Sequence, residues 1–294
     1  MTQQDTKMSK TDLPVLLPIA ERMAKRAAYE REVGIFSLRL KAQHGVWLAM
    51  LVLLSATVAQ AQTTPGQETI FTVLWRWKAF LLEGFLFNIL ISFMAMAIGT
   101  VAGTLLGLMQ ISLMPTVKAS SWAVTQFFRN APWLTLLFFC MFMLPFEFDL
   151  GFVQIPFPDW IKAVIGLSLP VMANISEVVR GAIKSIPFGQ WEASEALAFS
   201  RRQQLWQIIL PQCIKRMIPP WMNWYAILTM ATVLASIVGV NEVMTRAGQV
   251  SAAEGGRTDL LLPLYSSIML LFFIYCYPIA RLTIRLERKF AVKL

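Results

Sequence analysis

SIPFGQWEASEALAFSRRQQLWQIILPQ, residues 185–212, is a polar segment set between two long apolar blocks. Pro187 and Gly189 punctuate its start, and 190–197 is a run of good helix formers. Ser200 followed three residues later by Gln203 fits a capping box, the signature of a second helix start. Pro211 is expected to end that helix, because the residue before a proline avoids helical geometry. The segment therefore predicts two short helices joined by a turn. Glu192 stands near the start of the first, where a carboxylate complements the positive helix end. A helix-turn-helix can read DNA, but one held between apolar blocks is better placed to dock a cytoplasmic protein.

Outward from this segment the apolar blocks run over about 46–61, 82–110, 117–145, 160–183, 216–240 and 260–284. With 56% hydrophobic residues over 294, the chain exceeds the apolar share usual in soluble domains. Blocks of this length predict an all-α integral membrane protein of about six transmembrane helices. A β-barrel would need strands of about ten alternating residues, and these blocks are longer and do not alternate. Three regions follow: a basic extension over 1–44, an extra N-terminal helix with an interfacial segment over 45–81, and a main transmembrane domain over 82–290. Block 46–61 ends Ala59-Gln60-Ala61, which resembles a signal-peptidase site. Its preceding polar region is unusually long for a signal peptide, so a retained first helix is the preferred reading.

The net charge of +9 is distributed in alternate loops. Lys118, Lys184, Arg201, Arg202, Lys215, Arg216, Arg281, Arg285, Arg288, Lys289 and Lys293 fall on one side, with the basic extension. Arg76, Lys78, Lys162, Arg246 and Arg257 fall on the other. This asymmetry places both termini in the cytoplasm of a multi-pass membrane protein, and it argues against nucleic acid as a partner. Cys140, Cys213 and Cys276 are scattered without a CxxC pair, and His44 is the single histidine, so neither a metal site nor a histidine-based triad is expected. No G-x-x-x-x-G-K-[ST] occurs, so the chain is not expected to bind ATP itself.

Within the blocks, Asn88, Ser92, Gly99, Gly103 and Gln110 share one helical face. Gly99, Gly103 and Gly107 form a small-xxx-small series suited to close approach of another helix. Tyr225, Thr229, Thr232 and Ser236 form a narrow polar stripe, with Asn174 the candidate facing it. Two readings stand for the stripe: hydrogen bonding between helices, or the lining of a substrate path. Glu177 and Arg180 can pair at i,i+3, and Glu177 is also a candidate for the path.

Gln190-Trp191-Glu192-Ala193-Ser194, Ala198 and Ile208-Ile209-Leu210-Pro211-Gln212 together resemble the EAA loop of ABC-importer permeases. Phe128-Arg129-Asn130-Ala131-Pro132-Trp133-Leu134, Ala173–Gly181, Ile218–Asn223 and Arg285-Leu286-Glu287-Arg288 resemble further segments of the polar amino-acid uptake subfamily, in the family's order. The resemblance spans roughly 82–290. It implies a five-helix permease core of the MetI-like type, here with one added N-terminal helix. It implies that Gln190, Glu192, Ala193, Ser194, Ala198, Leu210 and Pro211 couple the chain to a cytoplasmic ATP-binding cassette subunit, which carries ATP and magnesium. A second permease subunit, a periplasmic solute-binding protein and membrane lipid are the other implied partners. The resemblance also implies a transport subunit of the bacterial inner membrane rather than an enzyme. The implied function is translocation of polar or charged amino acids, driven by the partner's ATP hydrolysis; an ion-coupled secondary transporter is the alternative.

The chain departs from the pattern at four places, one being Asn174, which stands where the Ala173–Gly181 segment has a tyrosine in the family. Ser194 and Ala198 replace an alanine and a glycine of the loop, and alanine takes positive φ only at a cost. Met230-Ala231-Thr232-Val233-Leu234 replaces a more polar fifth-span motif, so the substrate of close-looking relatives does not transfer directly.

Overall fold

Thr69 opens the first long helix, its hydroxyl accepting the Thr72 amide. The computed structural model describes residues 68–149 and 154–290, together with Trp47, Met50, Leu54 and Thr57. Helix α1 (Ile70–Met109) is followed by α2 (Pro115–Asn130) and α3 (Trp133–Met143). A small antiparallel pair, β1 (Glu147–Asp149) and β2 (Gln154–Pro156), comes next, with Phe148 opposite Ile155. Then come α4 (Asp159–Lys184), α5 (Phe188–Ala196), α6 (Arg201–Val238), α7 (Val243–Ala253) and α8 (Thr258–Phe290). Four of these, α1, α4, α6 and α8, are long and apolar enough to cross a membrane. The basic extension and most of block 46–61 lie outside the described residues.

The second block is longer than its hydropathy suggests. Its helix begins at Ile70, so residues 70–81, expected to belong to the interfacial segment, are its first turns. Block 117–145 is not one helix but two. Ala131 is extended (φ −73°, ψ 138°), as a residue before proline must be, and Pro132 starts α3. Together α2 and α3 carry the chain back to the end where α1 and α4 begin, since Phe146 lies under the Lys162 ammonium of α4.

Pro211 does not end a helix. The segment Gln204–Ile209 is wound as a π-helix, and α6 continues from it through Pro211, Pro219 and Pro220 to Val238. A wider turn just before a proline relieves the clash of its ring with the preceding turn, so the helix survives. The second short helix of the polar segment is thus the start of a span. The last turns of α6 tighten to 3-10 geometry and stop at Gly239, whose φ of 88° turns the chain into α7.

Helices α1 and α4 run in the same direction and form the tightest seam. A Cβ on Gly99 would lie 2.5 Å from Val171, on Gly103 2.6 Å from the Met172 carbonyl, and on Gly107 2.7 Å from the Ser176 carbonyl. The glycine series is therefore a helix-packing seam, as its spacing predicted. In a bilayer such close fit supplies association that the hydrophobic effect does not. Ile91, Ala95, Leu167, Val171 and Ile175 fill the core beside it, and Leu228 and Ala235 of α6 close it. A second cluster joins α1, α7 and α8 through Val73, Phe85, Val243, Ala247 and Leu264.

Candidate functional site

Helix α5 has one held face and one free face. Ile186, just before it, and Ser194 within it are buried, and the Ser194 hydroxyl donates to the Trp191 carbonyl at 2.8 Å. Gln190, Glu192 and Ala193 are exposed. Because α5 begins at Phe188, Glu192 lies past its first turn, not at the positive end as expected. The carboxylate is thus presented outward rather than spent on the helix terminus.

The turn after α5 closes by two bonds, Ala198 N–H to the Glu195 carbonyl (2.8 Å) and Phe199 N–H to the Ser194 carbonyl (3.1 Å). This is a Schellman arrangement. Its left-handed residue is Ala198, at φ 56°. The alanine therefore adopts the conformation a glycine would take freely, despite the cost of its Cβ. Ser200 and Gln203 then form the predicted capping box, each side chain reaching the other's backbone N–H. Arg201 stacks its guanidinium over Trp191 at 4.3 Å, tying α6 back to α5. Leu210 is half-buried against the core beside Ile209, and Pro211 is exposed. Arg216 clamps the far side by donating to the carbonyl and hydroxyl of Ser185 at 2.6 and 2.7 Å. These contacts tie the loop to both α4 and α6.

Glu177 pairs with Arg180, as its spacing predicted, and also lies 3.9 Å from Arg129 at the end of α2. Asn174 is buried and donates to the Pro170 carbonyl at 2.8 Å, within α4. On α6, the Tyr225 and Tyr275 hydroxyls share a bond of 2.7 Å. Thr229 and Thr232 are fully buried, and Ser236 is half-buried with its hydroxyl on the Val233 carbonyl. The stripe faces the protein interior, and its two threonines are sealed within this chain.

What sequence reasoning missed is the partner of Thr232. The Asn88 amide nitrogen donates to the Thr232 hydroxyl at 3.0 Å and to the Glu242 carboxylate at 2.7 Å. Its oxygen accepts the Val243 amide, and Glu242 caps α7 by accepting the Met244 and Thr245 amides. Burial pushes the Glu242 carboxyl above the usual carboxylate range, and these donors oppose it. Glutamate is an uncommon cap residue, so nothing in the local pattern announced α7; Asn88 on a buried face was the available signal. A second buried set joins three helices: the Gln110 amide donates to Thr125 and Ser176.

The end opposite the loop is rich in ion pairs. Arg76 pairs with Glu68 and Glu254, Arg246 with Glu83, Arg257 with Asp259, and Lys162 with Asp159. Hydrogen bonding from the Trp77 indole, with Arg76 beside it, holds the Glu254 carboxyl below the usual range. A cavity of about 560 Å³ opens there between α1, α4 and the turn into α7, bounded by Glu83, Asp159, Trp160, Asn241 and Arg246.

Residues 99–290 match the family model for the binding-protein-dependent transport system inner membrane component. The chain is similar to the "Probable amino-acid ABC transporter permease protein YckA" of Bacillus subtilis, 32% identical over 72% of this chain and 89% of that protein. It is also similar to the "Probable glutamine ABC transporter permease protein GlnP" of the same organism, 28% identical over 71% of this chain and 93% of that one. Among solved structures, an "amino acid ABC transporter with histidines" superposes with TM-score 0.65 and 21% identity, over 74% of this chain and 98% of that chain. An inward-facing MetNI methionine ABC transporter gives 0.52 and 18%, over 77% and 100%.

Proposed function

Since this chain belongs to the family of binding-protein-dependent transport system inner membrane components, and so is a permease subunit of an ABC-type importer and not its ATPase, we propose that it imports polar amino acids through mechanical coupling at α5. Membership sets aside the ion-coupled alternative. The observation that carries the proposal is a helix anchored by Ser194 and Ile186 that offers Gln190, Glu192 and Ala193 to a partner. Closure of an ATP-binding subunit around α5 would be transmitted without slack, because α5 is tied to α6 through Arg201 and the Ala198 turn, and α6 to α4 through Arg216. Leu210 and Pro211 stand where that push enters the span. Rigid-body rocking of helices would then alternate access.

The amino-acid substrate is supported by the relatives' names and by the chemistry of the outer cavity. Glu83, Asp159 and Arg246 offer both signs of charge to a zwitterion arriving from a periplasmic binding protein. The reading includes a second permease subunit, five membrane crossings (α1, α2 with α3, α4, α6 and α8) plus the helix at 46–61, and cytoplasmic termini. Of the path candidates, Tyr225, Ser236 and Glu177 keep partial exposure and would meet solute, whereas Asn174, Thr229 and Thr232 would shape the path from behind. Reconstitution with the ATP-binding and solute-binding partners tests the proposal. ATP-dependent uptake of a polar amino acid is expected; uptake driven by an ion gradient without ATP would overturn it.

A further inference from the structure

The two ends of the helix bundle differ in how their cations are matched. At the end bearing β1 and β2, four of the five cations, Arg76, Lys162, Arg246 and Arg257, have a carboxylate within 4 Å, and the fifth, Lys78, lies over the Trp75 ring. At the end bearing α5, Arg180 pairs with Glu177, but none of Lys118, Lys184, Arg201, Arg202, Lys215 and Arg216 forms an ion pair among the described residues. Beside this unmatched charge lies a groove of about 650 Å³. It is walled by the last turns of α1 (Leu105, Leu108, Met109), by Leu113 and by Leu205, and Arg201 stands at its rim. Leu105 and Leu113 are more than half exposed along it. The groove lies where α1 ends and α6 begins, both long and apolar enough to cross a membrane.

We propose that this groove seats an anionic phospholipid, its acyl chain against Leu105 and Leu205 and its phosphate on Arg201. Charge complementarity selects this occupant. Apart from Ser112 the walls are apolar; among the described residues no acid lines them and the one charged lining residue is a cation, with Arg202 exposed next in sequence and Lys118 one residue beyond the lining Val117. A zwitterionic lipid would gain the same apolar contact but lose the net attraction. A basic residue near an anionic surface contributes about 1 kcal/mol, which corresponds to about a fivefold preference. The same Arg201 guanidinium lies over Trp191 of α5. A lipid held there would fix the junction of α5 and α6, so the inference rests on the coupling role proposed for α5 only for its consequence, not for the binding itself.

Native mass spectrometry of the purified full chain, with phosphatidylglycerol and phosphatidylcholine vesicles as lipid sources, tests it. Wild-type protein is expected to retain phosphatidylglycerol about fivefold over phosphatidylcholine. Arg201→Gln should abolish that preference, and Leu105→Trp, which fills the groove, should lower retention of both lipids. Equal retention of the two lipids by the wild type would overturn the proposal. So would a Leu105→Trp protein that binds lipid normally but loses its ATP-binding partner, because a protein segment would then be the occupant. Free inorganic phosphate that displaces the lipid would also count against it. None of these readouts involves uptake, so their failure leaves the importer reading standing, and a failed uptake assay leaves the lipid site standing.

Discussion

The backbone N–H of Phe199 donates to the carbonyl of Ser194 at 3.1 Å, and the bond closes only because Ala198, between them, turns left-handed at φ 56°. An alanine in this region carries a cost of about 1–2 kcal/mol that glycine avoids. Ala198→Gly should therefore raise the thermal unfolding midpoint of the purified chain, offset in part by the greater unfolded-state freedom of glycine. Ala198→Val should lower it further than any exposed change nearby. A lower midpoint for Ala198→Gly would show that the turn is not held as described.

Gly103→Ala should destabilise by about 1–3 kcal/mol, because its new methyl would meet the Met172 carbonyl at 2.6 Å and force α1 from α4. Gly181→Ala is the control: nothing lies within 4 Å of its Cβ position, and alanine is the better helix former. Monodisperse yield and thermal midpoint distinguish the two. Equal behaviour would remove the seam from the account.

Thr232→Trp should lose assembled protein, since Thr232 has no exposed surface and accepts from Asn88. Asn88→Ala should cost about 1–3 kcal/mol by stripping the donor from Glu242. Adding Glu242→Gln should cost less than the sum of the two, because one network is being broken twice. Unfolding of the three variants measures this; strict additivity would contradict a shared network.

The Glu254 carboxyl, held low by the Trp77 indole and Arg76, should add stability that is present above the usual carboxylate range and lost as pH falls through its lowered folded value. Glu254→Gln should flatten the acid side of the stability profile and leave neutral pH less stable than wild type. An unchanged acid limb would assign that slope to other groups.

Much of this was legible in the sequence, and the exceptions have physical causes. The α1–α4 seam was readable because glycines at spacing four have one strong use in a membrane helix. The capping box at Ser200 was readable because it is local. Pro211 misled because its effect depends on the turn before it, and a π-wound Gln204–Ile209 is not written in propensities. Ala131-Pro132 was a readable break that the continuous hydropathy of 117–145 concealed. Helix α7 and the Asn88–Glu242 contact depend on chain segments 154 residues apart, which no local pattern reports.

The most direct test of the coupling role is ATP-driven uptake by the permease reconstituted with its ATP-binding and solute-binding partners, comparing wild type with Glu192→Lys. Glu192 is exposed and makes no ion pair among the described residues, so the reversal should leave the chain folded and inserted. The prediction is at least a tenfold fall in uptake with normal thermal stability and normal membrane yield. Uptake at the wild-type rate would contradict α5 as the element through which the partner's ATP hydrolysis moves the helices.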